Sequence, residues 1–273
     1  MRGVGDGPVR IAVSGAAGRM GRASVRAILR EPDLQLVAAV GRQHAVGRDA
    51  GEVAGVGPVG VPIVADLDAV WARAPDVLVV FAPGAPAVAH ARAALARGVR
   101  PVVGSTGLGA GDLEALRTLA AERRTGAVVA PNFALGAVLL MEFARVASRF
   151  FPHVEIIELH HDRKRDAPSG TALKTARLIA DARAAVPAPA VAEEELVAGA
   201  RGGVAEGVRV HSVRLPGLNA HQEVLFGGPG QVLTLRHDSL NEESFMPGLL
   251  LAVRRVGALE GLVYGLEHLL DLR

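Results

Sequence analysis

Two adjacent histidines, a lysine between two arginines and a Pro-Ser-Gly-Thr run lie within Glu158-Leu159-His160-His161-Asp162-Arg163-Lys164-Arg165-Asp166-Ala167-Pro168-Ser169-Gly170-Thr171. Imidazole and amine groups can hold a proton at one moment and release it the next, so this stretch is suited to general acid–base work. Of the 30 Lys and Arg residues in the chain only Lys164 and Lys174 are lysines. A lysine where arginine is otherwise the rule points to a cation that must be able to give up its proton. Arg163, Arg165 and burial would favour that release. The competing reading is a solvated basic loop.

Side chains of successive strand residues point to opposite faces, so His160 and His161 can serve one ligand only where a strand ends. Val154 to Leu159 reads as such a strand, with the pair at its end. After Pro168, Ser169 caps a helix whose apolar positions Ala172, Leu173, Ala176, Ile179 and Ala180 keep a helical period. Free N–H groups at Gly170 and Thr171, with the Thr171 hydroxyl, form a seat for an anion. No third ligand has convincing spacing and the nearby cations oppose a metal ion, so no metal site is expected.

These groups need something to act with, and the N-terminal part of the chain offers it. Val9 to Ser14 reads as a buried strand, and Gly15-Ala16-Ala17-Gly18-Arg19-Met20-Gly21 turns it into a helix running to about Arg30. The G-x-x-G-x-x-G spacing is a variant of the dinucleotide fingerprint. A carboxylate that would bind a ribose 2′-hydroxyl is expected about twenty residues on. Here that position is Gly41, followed by Arg42, whose guanidinium suits a 2′-phosphate. NADPH is therefore expected over NADH, with NADH still possible; His44 and Arg48 could add to the same pocket.

Strands near Val61–Val64, Val77–Phe81, Val99–Val103 and Ala127–Ala130 alternate with helices from Asp66, Pro86 and Ala110, the pattern of a parallel, doubly wound sheet with ligands at the carboxyl ends of its strands. Those ends carry Phe81-Ala82-Pro83-Gly84, Gly104-Ser105-Thr106-Gly107 and Ala130-Pro131-Asn132-Phe133, which offer hydrogen bonds to a nicotinamide and ribose but are also ordinary turn chemistry. A helix from Ala134 leads to the His-His strand. Residues 182 to 206 read as a helix fragment in a mobile connection. Val208–Leu215, His221–Phe226 and Gln231–His237 then predict an antiparallel meander, whose open face a homo-oligomer would cover. Ser244–Arg255 and Leu262–Leu270 look helical. The expected fold class is α/β: a Rossmann-like dinucleotide-binding domain over 1–131, with residues 244–273 packing back on it, and an α+β substrate-binding and oligomerisation domain over 132–243 with an open, mostly antiparallel sheet.

Composition narrows the functional classes. Charges of 30 against 28 leave +2 despite a pI of 9.6, and the short Arg163-Lys164-Arg165 run is flanked by Asp162 and Asp166, so no nucleic-acid partner is expected. The absence of cysteine removes disulfides and thiolate nucleophiles and agrees with a cytoplasmic location. No apolar run reaches membrane-spanning length without Gly, Pro or charge, so no membrane partner is expected.

The stretch from Glu158 to Ala172 is similar to E-x-H-H-x-x-K-x-D-x-P-S-G-T-A of the 4-hydroxy-tetrahydrodipicolinate (dihydrodipicolinate) reductases, and the resemblance extends over nearly the whole chain. It implies NAD(P)H-dependent reduction of a cyclic dicarboxylate on the diaminopimelate route to lysine, with loss of water. It further implies proton transfer by His160 and Lys164, substrate contacts from His161, Gly170 and Thr171, cofactor contacts from Gly15 to Met20, Gly104 to Thr106 and Ala130 to Phe133, and a homotetramer built through the C-terminal sheet. The chain departs from the family at Gly41, where members using NADH readily carry an acidic residue. It also lacks arginines that some members place near Pro83 and around Glu242. The rivals are another Rossmann oxidoreductase of a small dicarboxylate and a non-catalytic NADP-sensing protein.

Overall fold

The structure is a computed structural model describing residues 7–105, 107–183 and 194–272. Contacts divide the chain into one unit formed by residues 1–133 and 242–273 and a second formed by 134–241.

The first unit opens with β1 (Val9–Ser14), whose residues Ile11 to Ser14 are all inaccessible, as a parallel strand covered on both faces requires. It is followed by α1 (Arg19–Leu29), which buries Ala23, Val25, Ala27 and Ile28, and by β2 (Leu34–Val40). The short α2 (Ala50–Ala54) is capped by Asp49, whose carboxylate accepts from the N–H groups of Gly51, Glu52, Val59 and Val61. Then come β3 (Ile63–Val64), α3 (Asp68–Trp71), β4 (Val77–Val80), α4 (Ala85–Ala96), β5 (Arg100–Val103), α5 (Ala110–Glu122) and β6 (Ala127–Val129). Alanines 87, 91 and 94 of α4 are fully buried, and their small side chains pack with Leu78, Val80 and Val103 of the sheet.

The second unit contains α6 (Leu135–Ala147), β7 (His153–His160), α7 (Gly170–Ala182), β8 (Gly203–Ala205), β9 (Val208–Arg214), β10 (Ala220–Gly228) and β11 (Gln231–Ser239). Leu140 and Ala144 of α6 and Ala172, Ala176 and Ile179 of α7 share a core with Ile156, Val210, Val224 and Phe226 of the sheet. The strand order is β11-β10-β7-β9-β8, which corrects the expected meander: β9 and β10 do not pair, because β7 lies between them, parallel to β9 and antiparallel to β10. In that central place Ile156 and Glu158 of β7 are both fully buried, as suits a strand with partners on both edges. The β9–β10 connection consequently crosses the end of β7, where Leu215 N–H donates to His160 O at 3.0 Å and Ala220 pairs with His160. Of the expected mobile connection, residues 184–193 lie outside the described residues.

The chain rejoins the first unit at Glu242, continuing into α8 (Met246–Arg255) and β12 (Leu262–Tyr264). The helix expected over Leu262–Leu270 is thus a strand followed by one 3-10 turn at Leu266–Leu269. Gly261 (φ 98°) and Gly265 (φ 97°) bracket the run, and both conformations are incompatible with a continuing helix. With β12 added beside β6, the sheet has the order β12-β6-β5-β4-β1-β2-β3, with every pair parallel. The order reverses between β1 and β4, the switch point at whose carboxyl end such sheets bind ligands. Among the described residues no helix is long and apolar enough to cross a membrane.

Candidate active site

The glycine turn is built for close approach. Gly15 has φ 83°, and a Cβ there would lie 2.8 Å from Phe81 O; at Gly21 a Cβ would lie 2.0 Å from Gly15 O, so the helix can pack this tightly on the turn only without a side chain. The N–H groups of Gly15 and Ala16 both donate to Val40 O, and Gly18 N–H donates to Gly15 O. These contacts shape the turn. Since the first intrahelical bond of α1 runs from Arg22 N to Gly18 O, the amides of Arg19 and Met20 precede the helix's own acceptors and are placed to receive an anion. Ala17 completes the turn between them. The Arg19 guanidinium is 3.2 Å from Glu242. Arg42, after β2, is exposed.

At the neighbouring strand ends, Phe81 and Phe133 meet edge to face with centroids 6.3 Å apart. Gly104 sits against both rings: a Cβ on it would come within 2.2 Å of Phe81 and 2.8 Å of Phe133. Ser105 Oγ donates to Ala82 O at 2.5 Å, so the loops after β4 and β5 are tied together. Ala130 is buried, Pro131 exposed and Asn132 half-buried in the loop after β6. Thr106 lies outside the described residues. The absence of room for side chains at Gly15, Gly21 and Gly104 fits a dinucleotide laid against backbone.

In the second unit the His-His pair falls where β7 ends. His160 Nδ1 lies 2.5 Å from Glu158 Oε2. Glu158 has no exposed side-chain surface, and Arg214 at the end of β9 donates to both its oxygens, at 2.8 and 3.1 Å. Ser169 N–H adds a further bond to Oε1 at 3.3 Å. Burial pushes the Glu158 carboxyl up, but hydrogen bonds from His160, Arg214 and Ser212 outweigh it and bring the group from 4.5 to about 2. His161 keeps Nδ1 buried without a hydrogen-bond partner among the described residues. Lys164 Nζ donates to both Asp166 oxygens at 2.7 and 2.8 Å, and this contact holds the Asp166 carboxyl below its usual range. The partner Lys164 meets is therefore a carboxylate, whereas its flanking arginines were expected to set its environment. Ser169 Oγ accepts from Ala172 N at 3.2 Å, and Gly170 and Thr171 form the first turn of α7.

Glu158 and Arg214 are the residues that sequence reasoning did not single out. Glu158 carried one signal, a carboxylate at the position that alternation places on the same face as Val154 and Ile156. Arg214 carried none, since its partner is 56 positions away. Among the described residues no three His, Asp or Glu side chains gather as a metal site.

A parallel sheet of this order with a glycine turn at its switch point, followed by a mixed-sheet unit bearing ionisable groups at a strand end, defines the class of NAD(P)H-dependent oxidoreductases. Residues 9–133 match the family described as dihydrodipicolinate reductase, N-terminus, and residues 136–270 its C-terminal counterpart. The 4-hydroxy-tetrahydrodipicolinate reductase of Moorella thermoacetica is 55% identical over 266 residues, covering 96% of this chain and 98% of its own. That of Synechocystis sp. is 49% identical over 269 residues, covering 96% and 98%. Among solved structures, the dipicolinate-bound dihydrodipicolinate reductase of Paenisporosarcina sp. TG-14 superposes with a TM-score of 0.86 at 42% identity, covering 96% of this chain and all of that one. The chain belongs to the dihydrodipicolinate reductase family.

Proposed function

We propose that the protein reduces 4-hydroxy-tetrahydrodipicolinate to tetrahydrodipicolinate with loss of water, using NADPH in preference to NADH. The observation that carries this reading is His160, anchored through Nδ1 to Glu158 at the end of β7 and followed within four residues by Lys164. Family membership and relatives at 55% and 49% identity support the same reaction.

A bound reduced nicotinamide would supply a hydride; Gly15 to Met20, Gly104 to Thr106 and Ala130 to Phe133 are the residues proposed to hold it. The substrate is a dianion, and it is matched by Lys164, by His161 with its unpartnered Nδ1, and by the first-turn amides of α7 at Gly170 and Thr171. Once the substrate ring has taken up a hydride at the carbon conjugated with the imine, the remaining enamine needs a proton on carbon. His160 and Lys164 are the groups in this stretch able to deliver it. The preference for NADPH rests on Gly41 and on the exposed guanidinium of Arg42, which makes no ion pair among the described residues. We read the protein as a cytoplasmic homotetramer assembled through the second-unit sheet, without nucleic-acid or membrane partners. The test is to supply the product of the preceding synthase and follow oxidation of NADPH and NADH separately. Oxidation of NADPH at lower concentration than NADH is expected, and oxidation of neither refutes the reading.

A further inference from the structure

We propose that Glu158 is a positioning residue: locked by Arg214, it fixes His160 with the proton on Nδ1 and leaves Nε2 as the atom that gives and regains protons. This inference rests on the proposed reductase reaction only for its kinetic consequence.

Glu158 is wholly buried and lies at the meeting point of three segments. Its Oε2 contacts His160 Nδ1, both oxygens accept from Arg214, and Oε1 accepts from the Ser169 amide that opens α7. An ionised carboxylate offers only acceptor sites, so the ring nitrogen 2.5 Å away must be the donor. In the neutral imidazole that requirement settles the tautomer, and Nε2 is left with its lone pair. Arg214 serves a second purpose. The same NH2 group that holds Glu158 donates to Asp166 O at 2.7 Å, and the Asp166 carboxylate holds Lys164. A continuous set of contacts therefore runs from His160 through Glu158, Arg214 and Asp166 to Lys164, within one unit. Arg214 is placed there by the β9–β10 connection, which crosses the end of β7.

In the proposed reaction the protonated ring breaks its Nε2–H bond, the enamine π pair forms the new C–H bond, and the C=N bond is restored. His160 returns to the neutral form with Nδ1–H still donated to Glu158. Solvent then resupplies Nε2. A carboxamide in place of the carboxylate can donate to Nδ1 as readily as accept from it, so Glu158→Gln would release the tautomer while keeping the shape.

Two measurements test this on the full-length protein. The first needs no variant and no substrate: with ¹⁵N-histidine label, His160 in the parent enzyme is expected to show the Nδ1–H tautomer, and an Nε2–H tautomer overturns the proposal. In the second, Glu158→Gln is expected to lower kcat by about a hundredfold with KM within about threefold of the parent. The solvent deuterium isotope effect on kcat should rise and that of deuterated cofactor should fall, because proton delivery becomes limiting; a residue that only holds the fold together would shift neither. Near-parental kcat with unchanged isotope effects overturns the proposal, as does a loss confined to KM. If Glu158→Gln does not fold, the parent spectrum still decides. Absence of reductase activity in the parent would refute the proposed function, while the tautomer would continue to judge the role of Glu158.

Discussion

Replacing Arg214 with methionine would leave the Glu158 carboxylate buried without its guanidinium partner. The magnitude follows from the carboxyl itself. Its fall from 4.5 to about 2 corresponds to about 3 kcal/mol of stabilisation, at ~1.4 kcal/mol per tenfold change in proton affinity. Breaking a buried pair on one side costs a similar amount, about 3–5 kcal/mol. The sign follows from the lowered folded-state value: the contribution is fully present above pH 4.5 and is lost as pH falls toward about 2. Arg214 shares that stabilisation with His160 and Ser212, so the deficit of Arg214→Met relative to the parent should be at most about 3 kcal/mol at neutral pH and shrink through that acidic window. Urea unfolding at several pH values, followed by far-UV circular dichroism, measures it. Fluorescence would not serve, because the only tryptophan, Trp71, lies in the other unit. A deficit that stays constant from pH 7 to pH 3 would refute the electrostatic reasoning, leaving packing and the Asp166 carbonyl contact as what Arg214 provides.

Gly15→Ala places a Cβ 2.8 Å from Phe81 O at φ 83°, so it should destabilise the first unit by about 1–3 kcal/mol and weaken dinucleotide binding at least tenfold, as read by thermal unfolding and cofactor titration. Arg42→Ala should raise KM for NADPH about tenfold and leave that for NADH nearly unchanged; equal changes for both would remove Arg42 from the 2′-phosphate role. Lys164→Ala and His160→Ala should each lower turnover by about a hundredfold or more with cofactor affinity little changed, and near-normal turnover in either would contradict that residue's assigned part.

Where local chemistry decides the outcome, the sequence could be read directly. Ile11–Val13 is continuously apolar because both faces of β1 are covered there, the glycines mark a turn that tolerates no side chain, and Ser169 stands at the head of a helical period. The end of β7 was legible because alternation forbids two adjacent histidines from sharing a face. Longer-range features were hidden. Nothing in Val208–Leu215 and His221–Phe226 says that an earlier strand will separate them, since the strand that pairs with both is a residue run far away in the chain. Leu262–Tyr264 was misread because its three apolar residues suit strand and helix alike, and only the flanking glycines distinguish them. The Glu158–Arg214 pair joins residues from β7 and β9, and no local spacing encodes it.

The return of the chain at Glu242 has a consequence for synthesis. Residues 134–241 emerge from the ribosome as an uninterrupted segment holding every strand of their own sheet, so this unit has all its parts while the first is still missing α8 and β12. Until the last of these is made, β6 remains an open edge, and Gly126, whose missing side chain leaves space for Val256 O, has nothing to pack against. The earlier-translated unit is thus the later one to be completed, and a nascent chain halted before Gly261 would carry an assembled proton-handling segment beside an unfinished nucleotide fold.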